Sequence, residues 1–168
     1  MLIDCSYFTV GPRHILNATL GSTPRPNAIE VNRAIEAYIA DLQEPYLVKM
    51  LGRTIGNKVN TYLVCQDDGD AVKNDHYDAV CSRLRESFAD YVFFHILGAS
   101  NVQATLTGPV RLKCANEYIA PIGRQVMVWN NMVDRNRKFA QWCTTPENAL
   151  GGIVTDVEMT TKVNTFNL

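Results

Sequence analysis

Apolar residues recur along residues 74–97, NDHYDAVCSRLRESFADYVFFHIL, at Tyr77, Val80, Cys81, Leu84, Phe88, Tyr91, Val92 and Ile96. Spacings of mostly three and four put them on one stripe of an α-helix and fit no strand. Asn74 or Asp75 can accept hydrogen bonds from the free N–H groups of the first turn, and Gly98 supplies a stop. Asp78, Arg83, Arg85, Glu86 and Asp90 fall on the other face, which predicts that water covers it. The amphipathic segments before and after need an apolar wall, and this helix supplies it.

The same spacing recurs elsewhere. Asn27, with Glu30 three residues on, resembles a capping box. Val31, Ala34, Ile35, Tyr38, Ile39 and Leu42 form the stripe that follows. Pro45 has no N–H to donate, which predicts a kink or a fresh start before Tyr46, Leu47, Met50 and Leu51 extend the apolar face to Gly52. Residues 54–65 read as another helix, with Ile55, Val59, Tyr62 and Leu63 inward. Residues 124–143 read as the last, on Val126, Trp129, Met132, Val133, Asn136, Phe139, Ala140 and Cys143. Asn136 stands out on that stripe, because a buried amide must find partners and can fix a unique packing or a contact between subunits.

Three stretches lack the helical period. Residues 2–10, LIDCSYFTV, are rich in β-formers, and Gly11-Pro12 ends them. Residues 101–114 alternate apolar and polar positions on both sides of Gly108-Pro109, which predicts a β-hairpin. The tail, IVTDVEMTTKVNTFNL, suits an extended arm. The expected architecture is therefore mainly α: a bundle of about four helices in one domain, residues 1–150, with an inserted hairpin and a C-terminal arm over residues 151–168.

The totals narrow the function. The chain has 168 residues, 46% of them hydrophobic and 20% charged, enough for a real core. Its net charge of −1 lacks the basic surplus of a duplex-DNA binder. Five cysteines, with no CxxC pair among them, point to reduced thiols rather than a disulfide framework. MLIDCSYFT shows neither the basic nor the apolar region of an export signal, and no apolar run approaches a membrane span.

Catalytic signatures are missing. Neither His76 nor His95 has a ligand partner at helical spacing, and burial at the edge of the stripe accounts for His95. Counted from Asp67, QDDGDAVKND fails the calcium-loop rule, with Gly69 and Ala71 at the third and fifth positions and no glycine at the sixth. No GxSxG, GxGxxG or GKS/T sequence occurs. No cofactor is expected. Two chemical alternatives stay open: a thiol hydrolase pairing Cys114 or Cys143 with a histidine, and a helical nucleic-acid module using Arg124, Arg135, Arg137 and Lys138.

The stretch NAIEVNRAIEAYIADLQEPYLVKMLGRTIGNKVNTYL resembles the opening helices of head–tail connector (adaptor) proteins of tailed phages, especially those of Bacteroidales phages, the crAss-like group included. FADYVFFHILGASNVQATLTGPVRLKCANEY is similar to their middle, a helix followed by a polar β-like excursion, and VWNNMVDRNRKFAQWC to their last helix. The resemblance covers residues 27–143. It implies a structural virion protein, not an enzyme, that forms a homo-oligomeric ring in the phage neck beneath the portal, with the portal's twelvefold symmetry. The portal and adjacent tail or neck proteins are its implied partners, and DNA passes the lumen without specific binding. Assembly in the host cytoplasm and no membrane contact are expected. Exposure and strand character, rather than the resemblance, select the candidate contact residues: Val102, Gln103, Thr105, Thr107, Pro109, Arg111 and Lys113 on the hairpin, Arg135 and Arg137 on the last helix, and Val154, Val157 and Val163 on the arm.

Overall fold

The computed structural model describes residues 1–20, 26–67, 73–100, 102–105, 108–111, 121–148 and 151–166; of residues 100, 102–105, 108–111 and 121 the backbone alone is described. It is mainly helical: α1 (Pro26–Leu51), α2 (Arg53–Asp67), α3 (Asp75–Ser100) and α4 (Pro121–Cys143). None of these helices is long and apolar enough to cross a membrane.

Everything is built on α3. Asn74 caps it, its Oδ1 accepting from the N–H groups of His76 and Tyr77 at 3.1 Å each. The helix runs past Gly98 to Ser100. Every residue from Ser87 to Phe93 is buried, so for nearly two turns the helix is enclosed on all sides. That corrects one expectation: Asp90, assigned above to the wet face, is 5% exposed. The spacing of the stripe does not show this, because the side facing away from the other helices is covered by the N-terminal segment through Arg13.

α1 runs unbroken through Pro45, against the expected kink. Pro45 is exposed, so the carbonyl that it leaves unpaired can bond to water, while Tyr46 and Leu47 beside it are fully buried and hold the helix in line. The corner between α1 and α2 is made by Gly52 at φ +77°, a left-handed conformation that suits glycine. α2 then folds back along α1, with Gln43 bonded to Asn60 and Gly56 against the turn of Leu47. A Cβ at Gly56 would stand 2.7 Å from the Leu47 carbonyl oxygen, so the close approach requires glycine. α4 runs antiparallel to α3: Phe94 meets Trp129, Asp90 meets Arg135, Ser87 meets Asn136, and Arg83 lies over Trp142.

Between α3 and α4, β1 (Val102–Thr105) pairs antiparallel with β2 (Gly108–Arg111), Val102 opposite Arg111 and Thr105 opposite Gly108. The long hairpin expected over residues 101–114 is not borne out at that extent. Pairing covers four residues a side, and Pro109, opposite Ala104, has no N–H to give to the ladder. Thr107 and Lys113 lie outside the described residues.

The two terminal segments also differ from expectation. Residues 2–10 form no strand. Asp4 accepts from Ser6 N–H and starts a 3₁₀ turn at Cys5–Phe8, with a second at Gly11–Arg13. This segment fills the core with Leu2, Ile3, Phe8 and Ala18. The C-terminal segment does not stand away as an arm. Residues 153–163 lie along α1 and α4 as a strap, with a 3₁₀ turn at Val157–Thr160 and Met159 fully buried.

Candidate interaction surface

Asn136 links the strap to the core. It is fully buried; its Oδ1 accepts from the Ser87 hydroxyl and, at 3.4 Å, from the Tyr46 hydroxyl, and its Nδ2 donates to the Met159 carbonyl at 2.8 Å. Burial pushes the Tyr46 phenol well above its ordinary range. The partners foreseen for this amide thus lie within the chain, and they join α1, α3, α4 and the strap at one point.

The rest of the strap is held mainly through its backbone. Trp129 Nε1 donates to the Thr161 carbonyl at 2.9 Å, and Arg137 Nε to the Thr160 carbonyl at 2.9 Å. Asn130 both accepts from Val163 N–H, at 2.9 Å, and donates to the Val163 carbonyl, at 3.0 Å. At the other end the Asp156 N–H donates to the Lys49 carbonyl at 2.8 Å, and the Thr155 hydroxyl to that of Met50 at 2.9 Å. Two ion pairs flank these bonds, Lys49–Glu158 and Lys162–Asp134, each at 2.8 Å. Both are half-exposed or nearly so, and they contribute register more than stability.

A second polar cluster holds the N-terminal segment. Asp90 accepts from Arg13 at 2.8 Å through one oxygen and from Arg135 at 2.9 Å through the other, while Glu86 pairs with Arg13 at 2.6 Å. Burial raises the Asp90 carboxyl above the usual range, and the two guanidinium groups pull it back only in part.

The structure therefore separates the predicted contact residues. Val154 and Val157 are 71% and 75% exposed on the outer side of the strap. Val163 is half-buried on the core, with its backbone held by Asn130. Arg135 and Arg137 have partners within the chain, Asp90 and the Thr160 carbonyl. Val102, Gln103, Thr105, Pro109 and Arg111 fall in β1 and β2, at the end of the bundle where α3 passes into α4. Sequence reasoning missed Asn130, Trp129 and Ser87 as the residues that seat the strap; the Trp-Asn pair beside an odd amide on the stripe was the one available signal.

The chemical alternatives meet obstacles. Burial pushes the Cys5, Cys81 and Cys143 thiols up to about 11, away from the thiolate that a nucleophile needs. Cys143 feels the charge of Arg83, and His95 lies twelve residues beyond Arg83 on α3, about 18 Å along the axis. His95 is half-buried, edge-on to Tyr91 and Phe94, with burial lowering its pKa. Cys114 lies outside the described residues. Among the described residues no group of three or more His, Cys, Asp or Glu side chains could hold a metal ion. Of the four cations proposed for nucleic acid, Arg124 donates to the Pro12 carbonyl and lies over Phe93, Arg135 and Arg137 are bonded as described, and Lys138 is exposed. Compared with known proteins, the chain matches no family model, no curated protein sequence and no solved structure.

Proposed function

We propose that the chain is a structural subunit of a ring in the neck of a tailed phage, joining the portal to the tail while DNA passes through the lumen. One observation carries most weight beside the sequence resemblance. Of the ten large apolar side chains left exposed among the described residues, seven lie outside the four helices: Met1, Val10, Leu16, Leu20, Val154, Val157 and Phe166. The helices have closed on themselves, and apolar surface remains on the terminal segments, as suits a protein that works by contact with neighbours. The near-neutral charge fits a channel that must not retain DNA.

The mechanism is geometric. A head-to-tail contact between copies closes into a ring when the rotation per subunit divides a full turn. The β1–β2 excursion and the outer side of the strap, with Val154 and Val157, are the contact elements of this reading. Electron microscopy of the purified chain, alone and with the proteins encoded beside it, is expected to show closed rings, twelvefold on a portal. A chain that stays single under all these conditions overturns the reading. Strong DNA binding that falls steeply with salt would favour the nucleic-acid alternative.

A further inference from the structure

The bonds of the described residues that lead into the strap, 144–148 and 151–152, run among themselves and to the end of α4, not to the groove. Thr144 and Thr145 bond back to the last turn of α4, at the Gln141 and Trp142 carbonyls. Gly151 and Gly152 are exposed, and a Cβ built on either would meet nothing within 4 Å. Among the described residues of this linker, rerouting costs only these local bonds and those between Asn148 and Thr145.

What fixes the strap is its own pattern. The groove between the end of α1 and α4 bonds to strap backbone at five positions, takes one unbranched apolar side chain, Met159, and offers a positive and then a negative partner, Lys49 and Asp134. The strap presents the matching order, Glu158 before Lys162. Every copy of the chain carries both halves of this match, so the groove is complementary to a neighbour's strap as well as to its own.

We infer that the strap is exchanged between copies: in the assembled ring, residues 153–163 of each subunit lie in the α1–α4 groove of the next. The inference rests on the ring reading above and names the contact that joins its members. Effective concentration decides which strap is bound. A short linker keeps the chain's own strap at roughly millimolar local concentration, so a free subunit is closed. Subunits held side by side present their neighbours' straps at a comparable level. The nine residues from Thr144 to Gly152 reach about 30 Å when extended, enough to cross to an adjoining subunit. Exchange then ties the ring together with contacts already formed in the single chain.

The test uses the full chain. Equal parts of ordinary and isotope-heavy protein are mixed, loosened briefly in mild denaturant and returned to buffer, and single chains and oligomers are separated. A zero-length carbodiimide then joins amines to carboxylates already in contact, and mass spectrometry reads the Lys49–Glu158 and Asp134–Lys162 peptide pairs. Single chains are expected to give only all-light and all-heavy pairs. Oligomers are expected to give mixed pairs at both positions, rising towards half of each. Oligomers with unmixed pairs overturn the exchange and leave the ring reading standing. Loss of both pairs on assembly, which would put another protein in the groove, also overturns it. Mixed pairs in a closed dimer, with no ring formed, support the exchange and overturn the ring reading.

Discussion

The two terminal segments of this chain face the same task and meet it with different chemistry. Both are short, both use 3₁₀ turns, and both lie on the outside of the four helices. The N-terminal segment buries Leu2, Ile3, Cys5, Phe8 and Ala18, and Arg13 clamps it to Glu86 and Asp90. The C-terminal strap buries one large side chain fully, Met159, and otherwise relies on α4 side chains that bond to its backbone and on two backbone carbonyls at the end of α1. Apolar burial is worth far more per residue than a hydrogen bond made in exchange for water. The first segment is thus core in all but position, and the second is a bound peptide that happens to be tethered.

The contrast can be broken most forcefully at Phe8. Phe8→Ala is expected to cost about 3–5 kcal/mol and to lower the single unfolding transition of the whole molecule, measured by chemical denaturation. Met159→Ala is expected to cost less, about 2 kcal/mol, because the strap can leave its groove while the helices stay folded. Combined with Asn130→Ala it should cost less than the sum of the two, since a strap already released cannot be released again. Full additivity would make the strap as integral as the first segment. In the unaltered protein, amide exchange at Val163, bonded to Asn130, is expected to run at least about tenfold faster than at Ile15, bonded to the Phe8 carbonyl.

The smallest effect is in pH. Burial holds the His95 imidazole below its ordinary value of 6.5, so the unfolded chain takes up a proton before the folded one does. Stability from this source is present above pH 6.5 and is lost as pH falls through that value towards the folded pKa. His95→Phe should flatten the decline in melting temperature over that window. An unchanged slope would place its origin in another group.

The helices were legible because their core depends on spacing alone: Leu84, Phe88 and Val92 on α3, and Met132, Val133 and Phe139 on α4, are buried where the stripes put them. The terminal segments were not, because the residues that seat them lie far away in sequence. Nothing near Asp90 says that Arg13, 77 residues earlier, will reach it. The β-formers of residues 2–10 are apolar for burial rather than for pairing, and Asp4 turns them into a 3₁₀ start. Asn136 was recognised as an amide in need of partners, but sequence could not say whether those would belong to this chain. The tail misled for a similar reason: its threonines and valines have strand propensity, and no local signal reports a groove that is waiting for Met159.

The Arg13–Asp90 bridge also bears on the order in which the molecule matures as it is made. Arg13 precedes α3 by about sixty residues, so the clamp that it makes with Glu86 and Asp90 cannot close until α3 has been synthesised, whereas Leu2 and Cys5 already find partners on α1. Translation time across α1 and α2 therefore sets how long the N-terminal segment goes without its second anchor.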